Sequence, residues 1–337
     1  MITANTPIEE WLAQEQPEAV LEPELPIIDP HHHLWDIRTA TTEPLSQFEQ
    51  KVYLCQEFAD EIEAAGHNVV QTVFAECSAF YRADGPKELR CVGETEFVQG
   101  IAAMSRSGVY GTTRMCTGIF GGADMRLGTH IASVLAAHQA ASPNFRGIRG
   151  YRQKLSDEVF AAFAELGKHN LSYDSYWPDV TWLRDLSKLA ASQPDVTVVV
   201  NHLGGRCDAN GSTEQFNTWR ECLQHIAQYP NVVIKLGGAQ QRSGDWEPAF
   251  HMHQRPTPPN SEELCELLYP FYATAMDIFG PDRCMFESNF PVDKESVSYR
   301  SLWNLFKRIA AKAGCSDADK EHLFARTAAR AYQLEYP

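Results

Sequence analysis

The feature that most constrains this chain is an alternation repeated eight times. Short apolar runs rich in β-branched residues are each followed by a stretch with helical spacing. The first run, Pro26-Ile-Ile-Asp-Pro-His-His-His33, ends at three histidines. The others are Asn68–Cys77, Arg114–Gly121, Phe145–Arg149, Leu171–Tyr176, Val196–His202, Val232–Leu236 and Cys284–Asn289. Between and after them lie helical patterns at Gln56–Ala65, Glu94–Ser105, His130–Ala141, Asp157–His169, Trp182–Gln193, Gln215–Gln228, Ser261–Phe279 and Ser298–Ala313. Strands alternating with helices make a parallel sheet covered by helices, and eight such units can close into a (β/α)8 barrel. No linker or low-complexity tract divides the chain. The expectation is a single α/β domain over 26–337, preceded by an N-terminal arm at 1–25 and carrying a long Pro-rich loop, Gln240–Pro259, after the seventh strand. Thr6-Pro7-Ile8-Glu9 has the form of a helix start within that arm.

Charge and cysteine usage narrow the class. With 44 acidic and 29 basic residues the formal charge is -15, which disfavours nucleic acid and anionic membrane as partners. The 9 cysteines include no Cys-x-x-Cys and several sit in apolar runs, the pattern of reduced thiols in a cytoplasmic protein. The N-terminus lacks the basic start and apolar core of a signal peptide, and no apolar run is long enough to span a bilayer. A small-molecule substrate is the expected partner. Self-association into a homo-oligomer stays open.

In a barrel of this kind chemistry gathers at the C-terminal ends of the strands, and reactive residues stand at those places here. They are His31 and His33, Glu76, Arg149, Asp174, His202, Lys235 and Asn289. By the period-two rule Asp29, His31 and His33 share one strand face, with Ile28, Pro30 and His32 on the other. Two imidazoles converging from one face can grip a metal ion or hold a carbonyl oxygen. A His-rich surface strand is the plain alternative.

These residues resemble the amidohydrolase superfamily, in its amidohydrolase-related branch of TIM-barrel hydrolases and decarboxylases. The matching pieces are Asp29-Pro-His-His-His33, Phe145-Arg-Gly-Ile-Arg149, Val200-Asn-His-Leu-Gly-Gly205, Asn231-Val-Val-Ile-Lys-Leu-Gly237 and Met285-Phe-Glu-Ser-Asn-Phe-Pro291. They run in order from about Pro26 to Leu334. Within the branch the pattern is most similar to the sugar-lactone and pyrone-dicarboxylate lactonases. Two positions depart from it. The eighth strand carries Asn289 where the family usually places Asp, and Asn cannot accept a proton at neutral pH. The fifth strand carries Asp174 in the stretch where mononuclear zinc members place a His.

The resemblance implies a hydrolase that opens a lactone or a similar carboxylic ester. His31, His33 and His202 would polarise the carbonyl, with zinc or another divalent ion at His31 and His33, or without metal. With Asn289 left to orient a water or a hydroxyl, Glu287, one layer lower on the same face, is the favoured base, and Lys235 on the neighbouring strand its expected partner. Arg149 would clamp a substrate carboxylate, with Lys235, Asp174, Trp177 and Glu76 completing the substrate side. Tyr81 and Trp246 are candidates for an aromatic wall, and His251 and His253 for a lid. Two other readings stand beside this one: metal-dependent, non-oxidative decarboxylation of an unsaturated or aromatic acid, and a ligand-binding barrel that has lost catalysis.

Overall fold

The computed structural model describes residues 7–39, 48–150, 153–175, 177–205, 212–238 and 255–336. Eight strands pair in parallel in the order of the chain. They are β1 Ile27–His32, β2 Val69–Ala75, β3 Arg114–Gly122, β4 Phe145–Gly150, β5 Ser172–Ser175, β6 Val198–Val200, β7 Val232–Leu236 and β8 Cys284–Phe286. The crossover helices are α1 Cys55–Ala65, α2 Val92–Arg106, α3 Ile131–Ala141, α4 Asp157–Lys168, α5 Leu183–Ser192, α6 Thr213–Ile226, α7 Ser261–Phe279 and α8 Tyr299–Lys312. The ring closes just beyond β8, where His32 bridges Phe290. There the Asn289 amide donates to the His31 carbonyl (2.8 Å) and the His33 amide to the Phe290 carbonyl (2.7 Å). This is the expected (β/α)8 TIM barrel.

The alternation expected along β1 is broken. The register with β2 shifts between Asp29 and His32, around Pro30, which has no N–H to give the ladder and is tolerated at a bulge. Ile28 therefore packs inside the barrel with Val73, Ala75, Phe120 and Met285. Asp29 points out to Ser288 and Tyr299. His31 and His33 still face inward. His32 faces outward, bonded to Thr72 (2.8 Å) and packed on Phe58.

Two terminal segments complete the structure. A short helix at Pro7–Leu12 stands where the Thr-Pro-x-Glu signal places one. The chain after it is tied to α8, whose Asn304 accepts from the Leu21 amide and donates to the Ala19 carbonyl (2.9 Å each). After α8 comes a helical segment with no counterpart in the expected pattern, Asp317–Glu321, a π turn at His322–Arg326, and Thr327–Ala331. Its Ala325, Ala328, Ala329 and Ala331, with Tyr332, pack under the barrel interior beside Ile28, Val199 and Val233. Small side chains let a helix lie close against the mouth opposite the strand C-termini, and Tyr332 enters it. Of the long loop after β7, residues 239–254, with Trp246, His251 and His253, lie outside the described residues.

Outside the barrel wall, His138 of α3 is fully buried. It takes a hydrogen bond from Thr95 (2.8 Å), gives one to the Gly122 carbonyl (3.0 Å), and stacks on Phe145. Burial depresses its pKa to about 4. The neutral ring is the folded form, so this contribution to stability is complete above about pH 6.5 and declines as pH falls toward 4. Between pH 7 and pH 5 the loss from this one group is about 2 kcal/mol. Urea unfolding of His138→Gln at the two pH values is expected to show a pH-dependent loss smaller than wild type by that amount.

Candidate active site

The site is built from strand ends whose backbones are held in uncommon conformations. His202 and Leu203 after β6, and Asn289 after β8, have φ of 52°, 55° and 54°. Non-glycine residues occupy this left-handed region only where the surroundings enforce it. The glycines after β7 make the space. A Cβ on Gly238 would lie 2.2 Å from His202 Nδ1, and one on Gly237 2.4 Å from Glu287 Cγ. No side chain larger than hydrogen fits at either place.

His31 stands at the centre. Its ring centroid lies 5.0 Å from that of His33 and 4.6 Å from that of His202. Glu287, fully buried, reaches both neighbours. Its Oε1 accepts from His202 Nδ1 (2.7 Å) and from the His202 amide (3.1 Å), and its Oε2 lies 2.9 Å from His31 Nδ1. Burial alone would raise the Glu287 carboxyl, but the two imidazoles overcome that and hold it well below the ordinary range. Burial, reinforced by the charge of Lys235, lowers His31 far below the usual imidazole value. Burial and then Arg149 do the same for His33. His33 Nδ1 gives its proton to the Ala75 carbonyl (2.8 Å), so its lone pair falls on Nε2.

The expected partnership of Lys235 with Glu287 is replaced by another. Lys235 Nζ bonds Asp174 Oδ2 (3.0 Å) and His31 Nδ1 (3.2 Å), lying over the Phe120 ring. Asp174 also accepts from Ser172 (3.1 Å) and from the Tyr332 hydroxyl. Burial raises its carboxyl, with Lys235 opposing. Lys235 and Asp174, expected on the substrate side, are thus wholly buried beneath the imidazoles. A short strand-to-strand separation does not choose between two carboxylates; the inward reach of Asp174 from β5 does.

The remaining expected residues are placed as follows. Asn289 is buried and its side-chain N–H donates to Asp293 (2.8 Å), while its backbone closes the barrel. Arg149 is half-buried at the end of β4 and donates to the Glu76 carbonyl. The Glu76 carboxylate is buried and accepts from Ser78 (2.7 Å) and Tyr81 (2.6 Å). Trp177 is 36% exposed at the rim beyond β5. A cleft of about 520 Å³ opens on the β2–β3 side, with Tyr81, Gly122, Arg126 and Gln153 among its walls; pockets for small ligands have such volumes. Sequence reasoning missed Tyr332 and the Asp29 cluster. The run Ala328-Ala-Arg-Ala-Tyr332 was the available signal for the first, being small residues before a large one at the end of the last helix.

A divalent ion would find a suitable donor set. One donor atom from each of His31, His202 and Glu287 lies within 4.8 Å of the others, all buried. Among the described residues, His31 Nε2 and Glu287 Oε2 have no hydrogen-bond partner. Two nitrogens and one carboxylate oxygen are the ligand types and number of catalytic zinc sites.

Comparison with known proteins now places the chain. The amidohydrolase family model matches residues 28–334, and the chain belongs to that family. An uncharacterized protein, y4mH, of Sinorhizobium fredii is 31% identical over 92% of this chain and 99% of its own length. An L-fucono-1,5-lactonase of Burkholderia multivorans is 30% identical over 56% of this chain and 64% of that protein. Among solved structures, an amidohydrolase from Burkholderia multivorans with bound zinc superposes with a TM-score of 0.69. It is 23% identical, covering 92% of this chain and 99% of that one, a likeness of fold.

The Asp29 cluster supports the imidazoles from outside the barrel. Asp29 accepts from the Ser288 amide (3.0 Å), Ser288 Oγ (2.6 Å) and Tyr299 (2.9 Å), and burial raises its pKa to about 6. Asp29→Ala strands these buried donors and is expected to lower stability by about 3 kcal/mol, measured by urea unfolding at pH 7. Tyr299→Phe, which removes a single donor, is expected to lower it by about 1 kcal/mol.

Proposed function

We propose that this amidohydrolase-family chain is a lactonase, opening the ring of a polar lactone by attack of water on the carbonyl carbon. The observation that carries the reading is the cluster of three buried imidazoles, centred on His31, whose Nε2 has no partner among the described residues. The family relationship and the lactonase name of the Burkholderia relative support the substrate class.

The hydrogen bonds of each residue support a role for it. Lys235 has only donors, so it occupies the lone pair of His31 Nδ1 and leaves the ring proton on Nε2. That N–H is placed to receive the oxyanion as the carbonyl becomes tetrahedral. His202 donates from Nδ1 to Glu287, so its Nε2 carries the lone pair that takes the proton of the attacking water. The same proton then goes to the departing ring oxygen as the C–O bond breaks, giving a hydroxy acid. Glu287, favoured above as the base, instead orients His202 and stabilises its charged form, because its Oε1 is taken up by the ring and amide of His202. Asn289 has no part in proton transfer. Arg149 and the rim residue Trp177 hold the substrate's polar substituents. A divalent ion held by His31, His202 and Glu287 would act as a Lewis acid toward the same carbonyl.

A panel of five- and six-membered aldonolactones, followed by acid release, tests the reading. At least one is expected to be hydrolysed well above its spontaneous rate. His202→Asn is expected to lower kcat/KM by about 10³-fold or more. No turnover across the panel, or an undiminished His202→Asn variant, overturns it.

A further inference from the structure

We infer that Lys235 is a positioning residue that competes with divalent metal for His31, so that an internal ammonium stands where the donor set invites a cation. The inference rests on the proposed function only for the importance of His31. His31 Nδ1 has a single in-plane lone pair, and two groups approach it. Lys235 Nζ, at 3.2 Å, is in hydrogen-bond alignment. Glu287 Oε2 is at 2.9 Å but makes no hydrogen bond. That nitrogen of His31 faces Glu287, as His202 Nδ1 does, so a cation bridging the three side chains on that side would use it. It cannot bond a metal and accept from Lys235 at once.

The ammonium is fixed from below. Asp174 holds Nζ at 3.0 Å and is itself held by the Tyr332 hydroxyl. The Tyr332 ring lies face to face with Phe120, and both rings lie near Nζ, at 5.2 and 4.4 Å. All four side chains are at 0% exposure, so water does not screen the charge of Lys235 from a second cation nearby. The path Tyr332–Asp174–Lys235–His31 therefore extends from the C-terminal segment to the reacting face.

The test measures metal binding without substrate, so it stands apart from whether any lactone is turned over. Zinc alone is titrated calorimetrically into chelator-stripped protein. Lys235→Met is expected to bind zinc at least about tenfold more tightly than wild type. That variant leaves Asp174 buried and unpaired, so the double variant Asp174→Asn, Lys235→Met, which removes the pair together, is measured beside it. It is expected to bind more tightly than Asp174→Asn alone. Nitrogen NMR of histidine-labelled, metal-free wild type is expected to find the His31 proton on Nε2. Zinc affinity unchanged or reduced on loss of Lys235 in the folded variants, or a His31 proton on Nδ1, overturns the inference.

Discussion

Three full charges buried inside one barrel are what the rest of this structure must accommodate. Glu287, Asp174 and Lys235 have no access to water, and an unpaired charge in such a place is strongly unfavourable. The solution is a division of labour between neighbouring strands. Asp174 of β5 and Lys235 of β7 neutralise each other, and Glu287, after β8, is surrounded by imidazoles and a backbone amide. Gly237 and Gly238 are required because these groups crowd one level of the barrel. His202 and Asn289, beside these groups, have left-handed backbone. Backbone that is unfavourable locally persists where the surrounding structure over-determines it.

That pattern also alters the chemistry open to the site. A carboxylate or carbonyl acceptor behind a histidine fixes the tautomer and leaves the lone pair on its outer nitrogen. His33 and His202 have such acceptors in Ala75 and Glu287. His31 has a lysine behind it instead, which turns its outer nitrogen into a hydrogen-bond donor. In the proposed mechanism, adjacent rings on one rim thereby take opposite characters, one to stabilise negative charge and one to take up a proton.

Much of this was legible in the sequence because periodicity and strand-end position are local signals. All eight barrel strands and their crossover helices lie where apolar spacing places them, since strand–helix alternation leaves few ways to bury both faces. His31, His33 and His202 come together for the same reason. The bulge at Asp29–Pro30 was less accessible: the alternation rule counts residues, and one irregular step sends Asp29 outward and Ile28 inward. The pairing of Lys235 with Asp174 rather than Glu287 depended on the lateral reach of side chains across the barrel, which no linear pattern encodes. The closing helical segment was missed because its alanines carry little amphipathic contrast, although their smallness is what fits them against the barrel.

Tyr332 gives the architecture a temporal aspect. It lies after the last strand of the barrel, yet its hydroxyl reaches Asp174 of β5. A polypeptide leaving the ribosome in order can form most strands and helices early. Until this tyrosine emerges, the aspartate–lysine pair lacks its lower neighbour. The aspartate–lysine pair is therefore completed only after every strand of the barrel has been made.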